Sequence, residues 1–241
     1  MQPQHLRMVL LRRLRLELPL DTKRCKCGGY LDAYGDHRAA CPSVGKLGQR
    51  AKPLERTWAR VCREAGARVL ENQLLRDFNL EENVVDDRRL EVLADNLTLW
   101  GGAQLGVDAT LVSPVRRDGT PYPHAAGEDG VRLEAARTRK EAKYPELRRN
   151  RRCRLVVTAM EVGGRWSEES WTFLRLLAQA KAETVTPALR RSAEYTFLRR
   201  WAAMLSVAAQ TAFAASLVGE PSAKMQAWKD TLPELGEALH D

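Results

Sequence analysis

The sequence has few of the features that mark secreted or membrane proteins. Its five cysteines are too few and too unevenly spaced for a disulfide-stabilised scaffold. The N-terminus lacks a long apolar segment and a small-residue cleavage pattern, which argues against a signal peptide. The best candidate for a membrane span, 202–218, is rich in alanine and interrupted by polar residues, so it predicts a buried helix. We therefore expect an intracellular protein with reduced thiols and no membrane contact.

The sequence also lacks internal repeats and low-complexity tracts, and 44% of its residues are hydrophobic, which excludes disorder as the main state. The net charge of +8 is concentrated in two segments. Residues 1–24 hold six basic residues against two acidic ones, and residues 137–154 hold nine against two. Two basic patches on a nearly neutral body indicate a polyanion partner, most often nucleic acid. A solvated arginine-rich surface is the alternative.

Hydrophobic spacing predicts an α/β core. The pattern indicates a helix from Pro53 to Gly66, extended segments at 67–75, 88–94 and 103–113, a helix at 131–144, a buried strand at 155–160, and a helix from Ser167 to about Ala182. Pro187 opens a longer helix, which we expect to end at Gly219 and Pro221. This order predicts a mixed sheet flanked by helices, with a small N-terminal module and a C-terminal helical cover.

Four potential zinc ligands lie close together in the sequence: Cys25, Cys27, His37 and Cys41. Thiolate and imidazole groups are the ligands of tetrahedral zinc, and a glycine-rich segment can fold around such an ion without a hydrophobic core. A single residue separates the first two cysteines, which is tighter than usual. The group therefore predicts a zinc site, the alternative being unrelated thiols beside a surface histidine.

A second candidate site combines two carboxylates and a lysine. Asp108 points away from the apolar stripe of its strand, and Glu91 does the same in the preceding strand. Lys140 shares a helix face with apolar residues. This combination suits magnesium-dependent phosphodiester hydrolysis, although acids opposite lysines also occur on solvated sheets. Glu55, on the first predicted helix, is either an auxiliary metal ligand or part of a solvated face.

Local motifs extend over roughly residues 20–220. They are Cys-x-Cys-Gly-Gly-x-Leu-Asp-x-x-Gly-Asp-His-Arg-Ala-Ala-Cys (25–41), Pro-Leu-Glu-Arg-x-x-Ala-Arg-Val-Cys (53–62), Arg-Arg-Leu-Glu-Val (88–92), Val-Asp-Ala-Thr-Leu-Val-Ser-Pro (107–114), Arg-Lys-x-x-Lys-Tyr-Pro-Glu-Leu (139–147) and Glu-Val-Gly-Gly-Arg-Trp-Ser (161–167). Together they resemble the C-terminal region of reverse-transcriptase polyproteins from non-LTR retroelements. That resemblance implies a Cys-Cys-His-Cys zinc knuckle followed by a restriction-endonuclease-like domain of the PD-(D/E)xK type, which nicks target DNA to prime reverse transcription.

The resemblance also implies roles for particular residues. Zinc would be held by Cys25, Cys27, His37 and Cys41, and the catalytic residues would be Glu91, Asp108 and Lys140, with Mg²⁺ on the two carboxylates. Nucleic acid would be bound by Lys143, Tyr144, Arg148, Arg149, Arg151 and Arg152. Glu91 stands where the family usually has Pro-Asp, and this chain has no Pro-Asp dipeptide, so Asp87 is a rival for the first carboxylate.

The expected division of the chain follows these motifs: a basic lead-in (1–24), the zinc knuckle (25–50), the endonuclease core (51–166), its helical C-terminal part (167–220) and a tail (221–241). The expected partners are DNA, element RNA and an upstream polymerase domain, which places the protein in the nucleus. No Tyr-x-Asp-Asp polymerase motif is present. The alternatives are a catalytically inactive nucleic-acid-binding fragment of such a polyprotein and a host protein that reuses the fold for protein contacts.

Overall fold

The structure is a computed structural model that describes residues 1–20, 24–45, 47–81 and 84–218, with the backbone alone for Arg149. Its helices are α1 (Pro3–Arg13), α2 (Asp36–Ala40), α3 (Leu47–Glu64), α4 (Val131–Lys143), α5 (Pro145–Arg149), α6 (Glu168–Ala182) and α7 (Arg190–Val218). Its strands are β1 (Arg68–Leu74), β2 (Arg89–Asp95), β3 (Gln104–Val112) and β4 (Cys153–Glu161). The expected α/β class is confirmed.

The four strands form one mixed sheet in the order β1-β2-β3-β4. The β1–β2 and β2–β3 pairs are antiparallel, and β4 runs parallel to β3. A parallel pair needs a crossover connection, which α4 and α5 supply between β3 and β4. This crossover brings residues of α4 onto the sheet face that carries Asp108.

Side-chain alternation divides β3 between two layers. Leu105, Val107, Ala109 and Leu111 belong to the main hydrophobic core, which α3, α6 and α7 complete. The other face of the sheet packs against α4 and α5, where Leu147 and Tyr144 join a second apolar cluster. In β4, residues 155–161 are all buried, as predicted for a run covered on both faces.

The predicted start of the first long helix at Pro53 is wrong. The helix α3 begins at Leu47, so Pro53 lies in its interior and cannot donate a backbone hydrogen bond to Gln49. The preceding turn is fixed by Arg50, which is buried and donates to the carbonyl of Ala39 at 2.9 Å. A tertiary contact therefore extends the helix on the N-terminal side of Pro53, where the sequence pattern predicts its start.

The basic N-terminal segment has a partner that its sequence does not indicate. The helix α1 packs against α7, and Met8 and Val9 belong to the main core. Arg12 and Arg15 both form ion pairs with the buried Asp36, at the start of α2. The expected boundary at residue 24 stays a prediction, and these contacts join the segments on either side of it.

The C-terminal helices cover the main core. Ser167 caps α6 by accepting a hydrogen bond from the amide of Ser170 at 3.2 Å, as the sequence predicts. Within the described residues, the helical stretch Pro187–Val218 is long and apolar enough to cross a membrane, but 67% of its most apolar window is buried. The expected helix end at Gly219 and Pro221 and the tail 221–241 lie outside the described residues.

Candidate functional site

The four predicted zinc ligands come together in the structure. The ligand atoms of Cys25, Cys27, His37 and Cys41 all lie within 4.8 Å of one another, and the three thiols are free of disulfides. Cys27 Sγ is 3.3 Å from His37 Nε2. Tetrahedral zinc, with bonds of about 2.3 Å to sulfur and about 2.0 Å to nitrogen, requires ligand separations near this value. The group fits a metal such as zinc in both donor chemistry and spacing.

A tight glycine turn brings the first two cysteines together. The amide of Gly28 donates to the carbonyl of Cys25 at 2.9 Å, and the amide of Cys25 donates to Gly29 at 2.8 Å. Gly28 has φ of 85°, a left-handed conformation that glycine adopts without strain. A Cβ on Gly29 would lie 2.7 Å from Cε1 of His37, so a side chain there would displace the histidine.

Asp32 positions the other two ligands, a role that the sequence analysis did not assign. Its carboxylate accepts the amides of His37 at 2.7 Å and Asp36 at 3.0 Å, which fixes the first turn of α2. Because His37 and Cys41 are four residues apart, they project from the same side of this turn. The signal available in sequence was an aspartate shortly before a helix start, a position where such side chains bind free backbone amides.

The environment of Cys27 favours the form of the thiol that binds metals. The hydrogen bond from the backbone of Gly29 is the main cause that lowers the pKa of Cys27 to about 6, and the side chains of Cys41, Cys25 and His37 act in the same direction. The thiolate is the metal-binding form of cysteine. This cysteine is therefore prepared for a metal near neutral pH.

The second candidate site lies on the sheet face covered by α4 and α5. Asp108 is only 2% exposed, and Nζ of Lys140 lies 2.7 Å from its Oδ1. The β2–β3 pairs include Val92 with Val107, the residues adjacent to Glu91 and Asp108 in the chain, and both carboxylates contribute to the electrostatic environment of Tyr144. The structure thus places these three predicted residues next to one another, on β2, β3 and α4. Asp108 faces away from the apolar stripe, as predicted.

Glu55 joins this group from α3. Burial is the largest cause that raises the pKa of Glu55 to about 8, followed by the negative charges of Glu91 and Asp108, while Lys140 acts in the opposite direction. These influences put Glu55 near the same charges, and this favours the auxiliary-ligand interpretation over the solvated helix face. We call Glu55, Glu91, Asp108 and Lys140 the acidic cluster.

The oxygen donors of the acidic cluster are spaced more widely than the donor atoms of the Cys/His group. Within the described ranges, the Cys/His group is the one set of three or more Cys, His, Asp or Glu residues whose donor atoms lie close enough together to hold a metal ion as they stand. The carboxylates of the acidic cluster are oxygen donors of the kind that Mg²⁺ and Ca²⁺ prefer. Their donor chemistry therefore fits such a cation. Lys140 compensates part of their negative charge through its contact with Asp108.

Asp87, the rival to Glu91, lies outside the acidic cluster. It precedes β2, its side chain is 83% exposed, and it is 3.3 Å from Arg76. Glu91 lies within β2 and contributes to the electrostatic environment of both Glu55 and Tyr144. The geometry favours Glu91 as the first carboxylate.

Tyr144 does not occupy the position expected of a nucleic-acid contact. It is 1% exposed, and its hydroxyl donates to the carbonyl of Arg89 at 2.8 Å. Burial is the main cause that raises its pKa, and Asp108 acts in the same direction. Because proline at 145 ends α4, the tyrosine turns inward and packs beside the acidic cluster.

The other predicted nucleic-acid contacts lie on the surface. Lys143 is exposed, with its ammonium 4.8 Å from the ring centroid of Tyr144. Arg148, Arg151 and Arg152 are also exposed, and the side chain of Arg149 lies outside the described part of the chain. Of these, Arg148 and Arg151 line one cleft.

No protein-family model matches this chain, and a search of curated proteins found no match. What is established is an α/β protein with a mixed four-stranded sheet and a Cys/His group that could bind a metal such as zinc.

Proposed function

We propose that this chain is a retroelement-derived DNA endonuclease of the PD-(D/E)xK type, which nicks DNA by Mg²⁺-dependent phosphodiester hydrolysis for target-primed reverse transcription. The observation that carries the proposal is the contact of Lys140 Nζ with the buried Asp108, 2.7 Å from Oδ1, beside Glu91 and Glu55. A carboxylate that can bind a cation, next to a lysine that can stabilise charge on a phosphate oxygen, suits this chemistry.

The order of elements supports the restriction-like interpretation. A helix (α3) precedes three antiparallel strands, a crossover helix (α4) follows, and β4 adds in parallel to the last of them. The acidic cluster draws its residues from α3, β2, β3 and α4, so this order of elements is what assembles it. Fold alone does not define function, so the proposal depends on the chemistry of these residues.

Each residue of the acidic cluster has a proposed role. Glu91 and Asp108 would hold Mg²⁺, with Glu55 as a third oxygen donor. When bound, the cation polarises the phosphate and lowers the pKa of its water. Lys140 is held close to the reaction centre by Asp108 and stabilises the charge that develops on the phosphate oxygens. Binding and orientation of the DNA backbone fall to the exposed basic residues that follow α4.

The Cys/His group has a structural role in this proposal. Gly35, at the start of α2, has φ of 73°, and a Cβ there would lie 3.0 Å from Leu18 and 3.1 Å from Leu217. The segment is thus packed closely against α7 and tied to Arg12 and Arg15 through Asp36. Zinc would fix this packed conformation, since binding of a structural metal contributes directly to folding.

The test is nicking of supercoiled plasmid by the zinc-loaded protein in Mg²⁺. Asp108→Ala removes the central carboxylate, and Asp87→Ala is the matched control, since Asp87 is an exposed aspartate outside the cluster. We expect nicking by the wild type and by Asp87→Ala, and a loss of at least about 10³-fold in Asp108→Ala. Equal nicking by wild type and Asp108→Ala, or none by any protein, would contradict the proposal.

One observation favours a second candidate function, that of a catalytically inactive nucleic-acid-binding fragment. The charge of Asp108 is already neutralised by Lys140, and the cluster carboxylates are not gathered as closely as the zinc ligands. This candidate predicts salt-dependent DNA binding without divalent-cation binding at the carboxylates. Cation-dependent nicking excludes it.

A further inference from the structure

The cleft that Arg148 and Arg151 line lies beside α4, which contributes Arg137 and Glu141 to its lining. Its volume is about 480 Å³, within the range of sites that hold small ligands or part of a larger one. Its lining combines an apolar surface with several charged residues. The charged lining residues are Arg137, Arg148, Arg151, Arg154, Glu141 and Glu169, and Trp100 lies beside them.

The positive charge of this cleft is only partly compensated. Arg137 forms ion pairs with both acidic residues of the lining, since its Nε lies 2.9 Å from Glu141 Oε1 and 3.5 Å from Glu169 Oε2. The other three arginines, at 148, 151 and 154, have no ion pair with a carboxylate within 4.0 Å in the part of the chain that the structure describes. Burial raises the pKa of Glu169, and Arg137 and Arg154 both act against this rise, so Arg154 is partly compensated by Glu169. Arg148 and Arg151 are left to bind phosphate groups, which arginine contacts through paired hydrogen bonds.

An aromatic ring is fixed at the same cleft. Trp100 is stacked on Phe173, with ring centroids 6.0 Å apart, and its ring centroid lies 4.6 Å from the guanidinium of Arg154. It is 36% exposed. Its backbone has φ of 48°, followed by Gly101 at 71°, a left-handed conformation that bulky residues rarely adopt. The turn thus holds a large aromatic residue at the cleft instead of placing it in the core.

We infer that this cleft binds a single strand of nucleic acid, with phosphates on Arg148 and Arg151 and a base against the stacked Arg154 and Trp100. Proteins that bind single strands combine a positive groove with aromatic or arginine stacking platforms. A duplex keeps its bases stacked within the helix, so it would leave the aromatic part of this cleft unused. The inference deepens the proposed function and rests on it for the source of the strand, which would be DNA near the nicked site.

Trp100 is thereby added to the basic residues expected from the sequence, and Arg137 and Arg154, the two ends of the basic segment 137–154, line the cleft with it. Lys140 of the acidic cluster is next to Glu141 and three residues from Arg137 on α4, so the same helix contributes to the acidic cluster and to the cleft. The cleft would retain a strand while the acidic cluster acts on the neighbouring phosphodiester.

The test is fluorescence anisotropy with a labelled 12-nucleotide oligo(dT) and a duplex of the same length, without divalent cation. The variant Arg148→Gln/Arg151→Gln is compared with Arg190→Gln/Arg191→Gln, a charge-matched control in exposed residues at the start of α7. We expect about 10-fold weaker oligo(dT) binding in the cleft variant and a salt slope smaller by about 1.4, since each single-strand phosphate contact contributes about 0.7. The control should change less than twofold.

Failure of this inference is distinguishable from failure of the proposed function. Unchanged oligo(dT) binding in the cleft variant, an equal loss in the control, or equally tight binding of duplex would overturn the cleft assignment. Asp108→Ala should bind oligo(dT) like the wild type while losing plasmid nicking. If nicking requires Asp108 but the cleft variant binds normally, the nuclease proposal stands and the cleft inference falls. Zinc content and circular dichroism verify that each variant is folded.

Discussion

The two candidate metal centres of this protein are built in opposite ways. The Cys/His group uses ligands from positions 25–41, which one glycine turn and one short helix bring within 4.8 Å of each other. The acidic cluster takes its residues from positions 55–140, and these meet only because α3 and α4 pack beside adjacent strands. Sequence spacing can therefore identify the first centre, whereas the second requires the assembled sheet.

The two centres also differ in the protonation state that the fold favours. The amide of Gly29 lowers the pKa of Cys27 to about 6, so the thiolate forms readily. Burial and the neighbouring carboxylates raise the pKa of Glu55 to about 8, so this group is protonated near pH 7 unless a cation approaches. The first centre is prepared for its metal by local backbone geometry. The second gains its full charge only when a cation compensates it.

The largest expected effect comes from removing one ligand of the local centre. Cys41→Ser should reduce zinc from about one atom per chain to near zero, because structural zinc is bound with an apparent free energy of about 10–16 kcal/mol that depends on its ligands. Metal analysis of the purified protein measures this. Cys62→Ala is the matched control, a buried cysteine on α3 outside the group. Equal zinc loss in both variants would show that folding, and not ligation, determines zinc content.

The next largest effect concerns the attachment of the Cys/His segment to α1. Asp36→Asn should lower the free energy of unfolding by about 3 kcal/mol, because Arg12 and Arg15 lose the buried carboxylate that they share. Urea unfolding measures the change. Asp129→Asn, whose side chain is 91% exposed, should change stability by less than about 0.5 kcal/mol. A loss of stability no larger than that of Asp129→Asn would mean that this attachment contributes nothing.

The ion pairs of Asp36 should also make the stability of the protein depend on pH. The pKa of Asp36 is below its usual value of 3.8; burial is the largest influence and acts to raise it, but hydrogen bonds from Arg15 and Arg12 outweigh burial. Its stabilising effect is therefore complete above the unfolded pKa and is lost as pH falls through the lower folded pKa. Acid unfolding followed by circular dichroism should begin at higher pH in Asp36→Asn than in the wild type. Coincident curves would contradict this assignment.

The smallest expected effect is a pH dependence of stability that arises from Glu55 in the acidic cluster. Without divalent cation, the raised pKa of Glu55 means that the folded state binds more protons than the unfolded state between about pH 4.5 and 8, so stability should fall as pH rises through this window. We expect a fall of about 2 kcal/mol, allowing for partial exposure. Glu55→Gln should flatten the profile measured by urea unfolding, and Glu71→Gln, on the exposed strand β1, should not. A flat wild-type profile would contradict the burial of Glu55 beside like charges.

Much of the fold could be predicted from local sequence patterns. The strand expected at 103–113 is observed as Gln104–Val112, and the helix expected after Ser167 begins at Glu168. These elements carry their own signals, a period-two alternation and an N-cap. Pro53 misled the prediction because the contact of Arg50 with Ala39, which extends α3, is tertiary.

In the candidate sites too, residues with a local sequence signal could be identified, whereas residues placed by tertiary packing could not. The zinc ligands could be identified from spacing, and Asp108 from the alternation of β3. The position of Glu55 could not, since it depends on how α3 packs beside β2 and β3. The resemblance predicts Tyr144 as a nucleic-acid contact, but the turn at Pro145 directs it inward, where its hydroxyl donates to the carbonyl of Arg89.

The central claim is that the acidic cluster is a second metal centre, made of oxygen ligands. The most direct test is a titration of zinc-loaded protein with Mn²⁺, a spectroscopic substitute for Mg²⁺, with bound ion counted by electron paramagnetic resonance. The account predicts a bound Mn²⁺ in the wild type and in Asp87→Asn, and its loss in Asp108→Asn with zinc content unchanged. No bound Mn²⁺ in the wild type, or equal binding by Asp108→Asn, would contradict it.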